Sequence, residues 1–371
     1  MKRLNTLRTA AWLSVFAALS ACNDYFPAEK AASNPQTATA SAASQAAPAA
    51  VSTEDQDLLK QAQGLFKPLP DVKAHQKEMG FTDEQVQLGK QLYYEPRLSL
   101  ANDISCNTCH GLTTKGVDGK PTSPGHKGAL GARNSPTSLN SGVLGMQFWD
   151  GRAANVEEQA KGPMINPVEM AMPDHPAVEK KIQAIPGYAE QFAKFYADKG
   201  GKASIDNIVH AIGAFERTLL TPSRWDDFLK GDVNALNAQE KRGVRAFVGN
   251  GCIACHSGMN LGGDTFQKFG LIKPYWDFID DKKRDTGRHE VTKKEEDKYF
   301  FRTSPLRNVA DTAPYFHNGS VADLGKAVAI MGETQLGKTL SQQDIDDIVA
   351  FLKATSGEVP ANAMKVPELP K

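Results

Sequence analysis

Six residues of this 371-residue chain declare a chemistry by their spacing: Cys106-Asn107-Thr108-Cys109-His110 and Cys252-Ile253-Ala254-Cys255-His256. Two thiols separated by two residues can join the two vinyl groups of a haem, and the adjoining histidine reaches one axial face of its iron. A zinc ribbon also uses Cys-x-x-Cys pairs, but it would leave both adjoining histidines without a role. Two c-type haems use all six residues. Four of the five cysteines are then consumed as thioethers, leaving Cys22.

His110 and His256 supply the proximal ligands, so the opposite face of each iron decides what it can do. In the second copy Met331, within Val328-Ala329-Ile330-Met331-Gly332, is the best-placed distal ligand; Met259 follows its own motif too closely to reach round the ring. A thioether favours Fe(II) and raises the potential, so this haem is expected to store and pass electrons. In the first copy His126 follows His110 by 16 residues, in Thr122-Ser123-Pro124-Gly125-His126-Lys127-Gly128, among glycines at 111, 116, 119, 125, 128 and 131. Such a loop can bring an imidazole to an iron and swing it away again. Met164, Met170 and Met172 lie at comparable distance along the chain, and spacing alone leaves them competing with His126.

The elements that must hold these residues repeat, as the two haem motifs do at an offset of 146 residues. Before the first motif runs Glu84–Tyr93 and before the second Gln239–Phe247, each a predicted helix with a glycine and an aromatic one turn apart on one face: Gly89 with Tyr93, Gly243 with Phe247. Behind each motif comes an apolar stripe at helical spacing, Ile205, Ile208, Val209, Ile212, Phe215 and Leu219 in the first copy, Ile345, Ile348, Val349 and Leu352 in the second. These stripes read as core. An opening helix, a haem motif, a loop-rich middle and a closing helix form the plan of a class I cytochrome c. The expected fold is therefore mainly α, two class I cytochrome c-like domains with one covalently bound c-type haem each, and little or no sheet. Proline at Thr221-Pro222-Ser223 ends the first closing helix and marks the break. The expected first domain is residues 58–222 and the second 223–358, with a tail at 359–371.

Charge is balanced at 43 basic and 43 acidic residues, with 40% apolar content, and nothing points to nucleic acid. The first residues carry Lys2, Arg3 and Arg8, then an apolar run from Ala10 to Leu19, too short to span a bilayer as a mature helix, then Leu19-Ser20-Ala21-Cys22. This is an export signal over residues 1–21, and its end is similar to a bacterial lipobox, in which Cys22 becomes the acylated N-terminus. Asn23 behind it resembles the outer-membrane address, facing the periplasm. Residues 22–57 are expected to be a lipid-anchored flexible tether, mostly Ala, Ser, Thr, Gln and Pro from Pro27 to Thr53. A chain of that length spans roughly 30 Å root-mean-square. Loss of residues 1–21 leaves 40 basic against 43 acidic residues, a mildly acidic mature protein.

From about residue 65 to 358 the chain resembles the bacterial dihaem cytochrome c peroxidases. The resemblance rests on Cys-Asn-Thr-Cys-His, Thr-Ser-Pro-Gly-His, Gln147-Phe148-Trp149-Asp150-Gly151-Arg152, Lys161-Gly162-Pro163 with Val168-Glu169-Met170, Thr312-Ala313-Pro314-Tyr315-Phe316-His317, and Met331-Gly332. It implies that His126 is the removable distal ligand of the first haem and Met331 the fixed ligand of the second. It implies also that Trp149 lies between the haems, that Gln159 and Glu169 line a peroxide pocket, and that Asn134, Thr312 and Pro314 hold a calcium ion between the domains. Cleaving the O–O bond of hydrogen peroxide takes two electrons, which donors deliver singly, so one haem reacts and the other waits reduced. Glu169 would move the proton as general base and then acid. The implied partners are hydrogen peroxide and a small c-type cytochrome or cupredoxin donor, and the family tends to homodimerise. Two other readings compete. One is a dihaem electron carrier, which needs neither a removable ligand nor a pocket carboxylate. The other is a relative that oxidises protein tryptophans, which carries tyrosine where this chain has Met331.

Overall fold

The two opening helices form where capping signals and an apolar face coincide. Thr82 caps the helix Asp83–Tyr93 and Asn237 the helix Ala238–Asn250, each in a capping box closed by Gln85 and Glu240 three residues on. The first opening helix crosses the closing helix Ile205–Glu216, capped by Ser204; the second crosses Gln342–Ala354, capped by Ser341. Both crossings turn on the glycine. A β-carbon at Gly89 would fall well inside contact distance of the Ala211 carbonyl oxygen, and one at Gly243 inside that of Asp347. The internal repeat of the sequence is therefore a repeat of one helix crossing. Gly89→Ala or Gly243→Ala is expected to prise its crossing apart at a cost of about 1–3 kcal/mol. Urea unfolding of the haem-loaded protein measures this; unchanged midpoints would contradict the close approach.

In this computed structural model, which describes residues 52–371, the architecture is mainly α-helical. Among the described residues the sheet consists of one antiparallel pair, Phe266–Lys268 with Phe300–Arg302. The first core gathers Leu88, Leu92, Ile182, Tyr188, Phe192 and Ile212, the second Trp225, Phe228, Phe247, Ile348 and Phe351. The first closing helix ends at Glu216, so Leu219 lies beyond it, though still fully buried. Residues 1–21, Cys22 and the tether to residue 51 lie outside the described residues.

The chain ends cross over. The helix Thr53–Leu65 starts inside the expected tether, and it places Leu58, Leu59, Ala62 and then Phe66 in the second core, Phe66 packing edge-on to Trp225 at 5.3 Å. Residues 58–66, expected with the first domain, thus pack with the second half, because that is where their apolar stripe finds partners. In the opposite sense Val359 and Ala363 of the tail pack with Tyr93, Tyr94 and Leu112 of the first half, and Arg97 donates to the Pro370 carbonyl at 2.7 Å. The described residues, 52–371, fall in one compact unit. None of the described helices is long and apolar enough to cross a membrane.

Candidate active site

Each haem-motif histidine is oriented by a backbone carbonyl. His110 Nδ1 lies 2.9 Å from the Pro136 oxygen and His256 Nδ1 3.1 Å from that of Leu261. A carbonyl only accepts, so the proton sits on Nδ1 and the Nε2 lone pair is left for a metal. Burial also holds both imidazoles below their ordinary pKa, in the neutral form a metal requires. Tyr93 fixes the first motif from behind, its hydroxyl donating to the His110 carbonyl at 2.7 Å. Cys252, Cys255, His256 and Met331 border one large, mainly apolar cavity. Met331 ends the helix Leu324–Met331, ahead of the closing helix. Among the described residues no three His, Cys, Asp or Glu side chains gather as a metal site, so the two Cys-x-x-Cys pairs do not share one. This donor set fits two separate haems.

In the first half the rival ligands lie in different surroundings. Met164, Met170 and Met172 are packed into the core with Val178 and Ile182. His126 instead keeps a buried Nδ1 that lacks a hydrogen-bond partner. It stands in a tight turn, His126–Gly128, whose Lys127 holds a left-handed φ of 54°. The His126 turn is bound to the Glu169 segment by a bond from His126 N–H to the Glu169 carbonyl at 2.8 Å. Only glycine allows the approach, since a β-carbon at Gly125 would strike the Val168 carbonyl. The Glu169 carboxylate accepts from Asn166 Nδ2 at 2.9 Å. Burial raises its pKa against the opposing pull of Arg152 and of that hydrogen bond. Gln159 lies half-buried on the helix Val156–Ile165.

The segment Arg133–Ser138 ties both halves together. Pro136 receives the His110 bond, Asn134 accepts from the Trp149 indole at 2.8 Å, and Asn134 N–H donates to the His317 carbonyl at 2.7 Å. Trp149 therefore stands on the wall of the second cavity and is joined by hydrogen bonds and a short stretch of backbone to His110. Asn134, Thr312 and Pro314 border that same cavity. The Asn134 amide donates its Nδ2 hydrogen to the Lys120 carbonyl at 2.9 Å, which leaves Oδ1 for a hard cation. His317, without an assigned role in the sequence, is buried, bonded to Asp281 at 3.1 Å and stacked on Phe301. His75 is buried with an unpartnered Nε2, His175 reaches the Lys161 carbonyl, His210 bonds Tyr196 and Lys199, and His289 is hydrogen-bonded to the Lys294 carbonyl.

Three residues escaped the sequence reading. Arg133 joins Asp150 at 2.6 Å and Asp285 at 2.6 Å, a bond between the halves beside Asn134. Arg302 is among the residues that line the second cavity, and one of its guanidinium nitrogens is buried without a partner. Glu216 is buried near Cys106, and burial, helped by Glu157, pushes its pKa up to about 8. A lone charge at the edge of an apolar stripe reads as solvated surface, so only the Phe215-Glu216 step inside the first closing stripe hinted at it.

Two cytochrome c-like helical halves, each with its own Cys-x-x-Cys-His, define a dihaem c-type protein. Residues 83–234 match the di-haem cytochrome c peroxidase family. The chain is 49% identical over 302 residues to the cytochrome c551 peroxidase of Pseudomonas aeruginosa, covering 81% of this chain and 86% of that protein. It is 43% identical over 305 residues to that of Nitrosomonas europaea, covering 82% and 88% respectively. The fold is similar to the crystal structure of a MauG-like protein associated with microbial copper homeostasis, at a TM-score of 0.68 and 27% identity, covering 81% of this chain and 96% of that one. The chain belongs to the di-haem cytochrome c peroxidase family, and its cofactors are two c-type haems.

Proposed function

We propose that this enzyme reduces hydrogen peroxide to water in the periplasm, drawing two electrons one at a time from a small c-type cytochrome or cupredoxin. Hydrogen peroxide, two electrons and two protons give two waters. Bound at the two motifs, the haems supply an iron at which the O–O bond breaks and a store for the second electron. Cys106, Cys109 and His110 would hold the first, with His126 as a removable ligand; Cys252, Cys255, His256 and Met331 would hold the second. The observation that supports this reading is the bond from the His126 N–H to the Glu169 carbonyl, which joins the turn carrying the imidazole to a half-buried carboxylate whose pKa burial raises. Lys127, strained in the left-handed region, makes that turn cheaper to leave.

With His126 withdrawn, Glu169 takes the proton from one peroxide oxygen and delivers it to the departing one. Gln159 orients the peroxide through its amide. Trp149 carries the electron across, held by Asn134, while Asn134, Thr312 and Pro314 bind a calcium ion that fixes the junction. The domain division is at 222/223, with the crossed-over ends as a clasp. Cys22 anchors the chain to the outer membrane by its lipid, and residues 22–51 let the enzyme meet its donor; the active form is a homodimer. Met331 at the second cavity, in place of tyrosine, supports the peroxidase over a tryptophan-oxidising relative.

The test is turnover. Holoenzyme with calcium, reduced beforehand by one electron, is expected to oxidise two equivalents of a reduced small c-type cytochrome per peroxide. No peroxide-dependent oxidation of any such donor would reduce the chain to an electron carrier.

A further inference from the structure

The second cavity is bordered by two cations and, among the described residues, by no aspartate or glutamate. One cation is satisfied: Arg307 forms a two-point ion pair with Asp226 at 2.8 and 2.9 Å and donates Nε to the Met259 carbonyl. Arg302 is not. It is 4% exposed, it forms no ion pair among the described residues, and one terminal guanidinium nitrogen is buried without a partner. Asp264 acts on it only from a distance. An unpaired cation taken out of water costs several kcal/mol, so the enclosed guanidinium of this cavity-lining residue calls for an anion. The cavity it borders also carries Cys252, Cys255 and His256, and a haem brings two carboxylates of its own.

The rest of Arg302 is anchored in the other direction. Its Nε donates to the Phe148 carbonyl at 3.0 Å and its backbone N–H to the Trp149 carbonyl at 2.7 Å. One side chain thus touches both the second cavity and the backbone that carries Trp149. A planar fork suits this double duty, because Nε can hold a carbonyl while the terminal nitrogens clasp a carboxylate.

We infer that Arg302 is the counter-charge of a carboxylate of the second haem, tying that haem's edge to the Phe148–Trp149 backbone and holding its potential up. The inference rests on the reading that this cavity holds a haem on His256. Its positive charge disfavours the more positive, oxidised iron, and its pairing keeps the carboxylate ionised. The other titratable groups facing the cavity are Cys252 and Cys255, which a bound haem would consume as thioethers, the paired Arg307, His256 and His317, which burial holds neutral, and Tyr315, whose pKa burial raises to about 12.

The experiment is a spectroelectrochemical titration of the second haem in wild type, Arg302→Gln and Arg302→Lys, between about pH 6 and about pH 9. Haem content and the His/Met absorption bands are measured first; their absence from wild type would overturn the haem reading itself, separately from this one. At the alkaline end Arg302→Gln is expected to lower the reduction equilibrium about tenfold, 59 mV for one electron. The gap should close as pH falls, because the released carboxylate then takes up a proton and the lost charge is cancelled. Arg302→Lys should track wild type within about twofold, about 0.4 kcal/mol. Identical curves for all three, or an offset of Arg302→Gln that is the same at every pH, would overturn the inference. Should Arg302→Gln fail to fold, wild type and Arg302→Lys decide it: their potentials are expected to stay level between about pH 7 and about pH 9, where the histidines are neutral. A slope there, from a carboxylate titrating freely, would overturn it too.

Discussion

Replacing Glu169 by glutamine lowers kcat for peroxide reduction by about 10²–10⁴-fold, the usual worth of a positioned general acid–base. The haem spectra stay as in wild type, because the amide keeps the shape of the side chain and the hydrogen bond from His126 goes to the backbone carbonyl, not the carboxylate. The reason for the size of the effect is that a single group must first accept the peroxide proton and then return it, and an amide does neither. The pH profile carries a second signature. Burial raises the Glu169 pKa, and a base works only when ionised, so the acid limb of wild-type activity lies above the ordinary carboxyl range and falls as pH drops through it. Glu169→Gln loses that limb. Stopped-flow mixing with peroxide over a pH series measures both; a variant within tenfold of wild type would remove Glu169 from the chemistry.

Arg307→Ala costs about 3–5 kcal/mol of stability, the penalty for leaving one member of a buried ion pair alone. The pair is fully enclosed, with Arg307 1% and Asp226 0% exposed. It is also a junction: Asp226 accepts from Leu69 N–H at 2.7 Å and from Ser223 N–H at 2.8 Å, while Arg307 donates to the Met259 and Lys67 carbonyls. The linker behind the first helix, the start of the second half and the second haem loop thus meet at one ion pair. Asp226→Asn strands the guanidinium in the same way and costs a similar amount, because its amide nitrogen would face the Ser223 N–H and the Arg307 Nη1 from which the carboxylate accepted. The double variant is clearly non-additive, because the second substitution removes a charge already stranded. Urea unfolding of the four proteins of this cycle checks the claim; single-variant losses below about 1 kcal/mol would show the pair to be incidental.

Local patterns in the chain were legible because they depend on near neighbours. The glycine notches at 89 and 243 and both haem motifs follow from residues within one or two turns. What escaped depends on partners far along the chain. An amphipathic stripe says that Thr53–Leu65 must bury a face, but not that Trp225 will cover it. Spacing leaves His126 and the three methionines in competition because their surroundings are set by distant partners: the methionines pack into the first core, while the histidine keeps an unpaired ring nitrogen. Arg133 and Arg302 look like ordinary surface charges until Asp285 and the second cavity are placed beside them.

If the redox state of the second half opens the iron of the first, one-electron reduction will expose it. Holoenzyme with calcium is reduced by one electron and followed by absorption and electron paramagnetic resonance, then mixed with peroxide. The low-spin signal of the first haem is expected to give way to a high-spin, peroxide-reactive one, and His126→Ala is expected to be high-spin before any reduction. A first haem that stays low-spin after half-reduction, and ignores peroxide, would contradict it and take the roles of His126 and Glu169 with it.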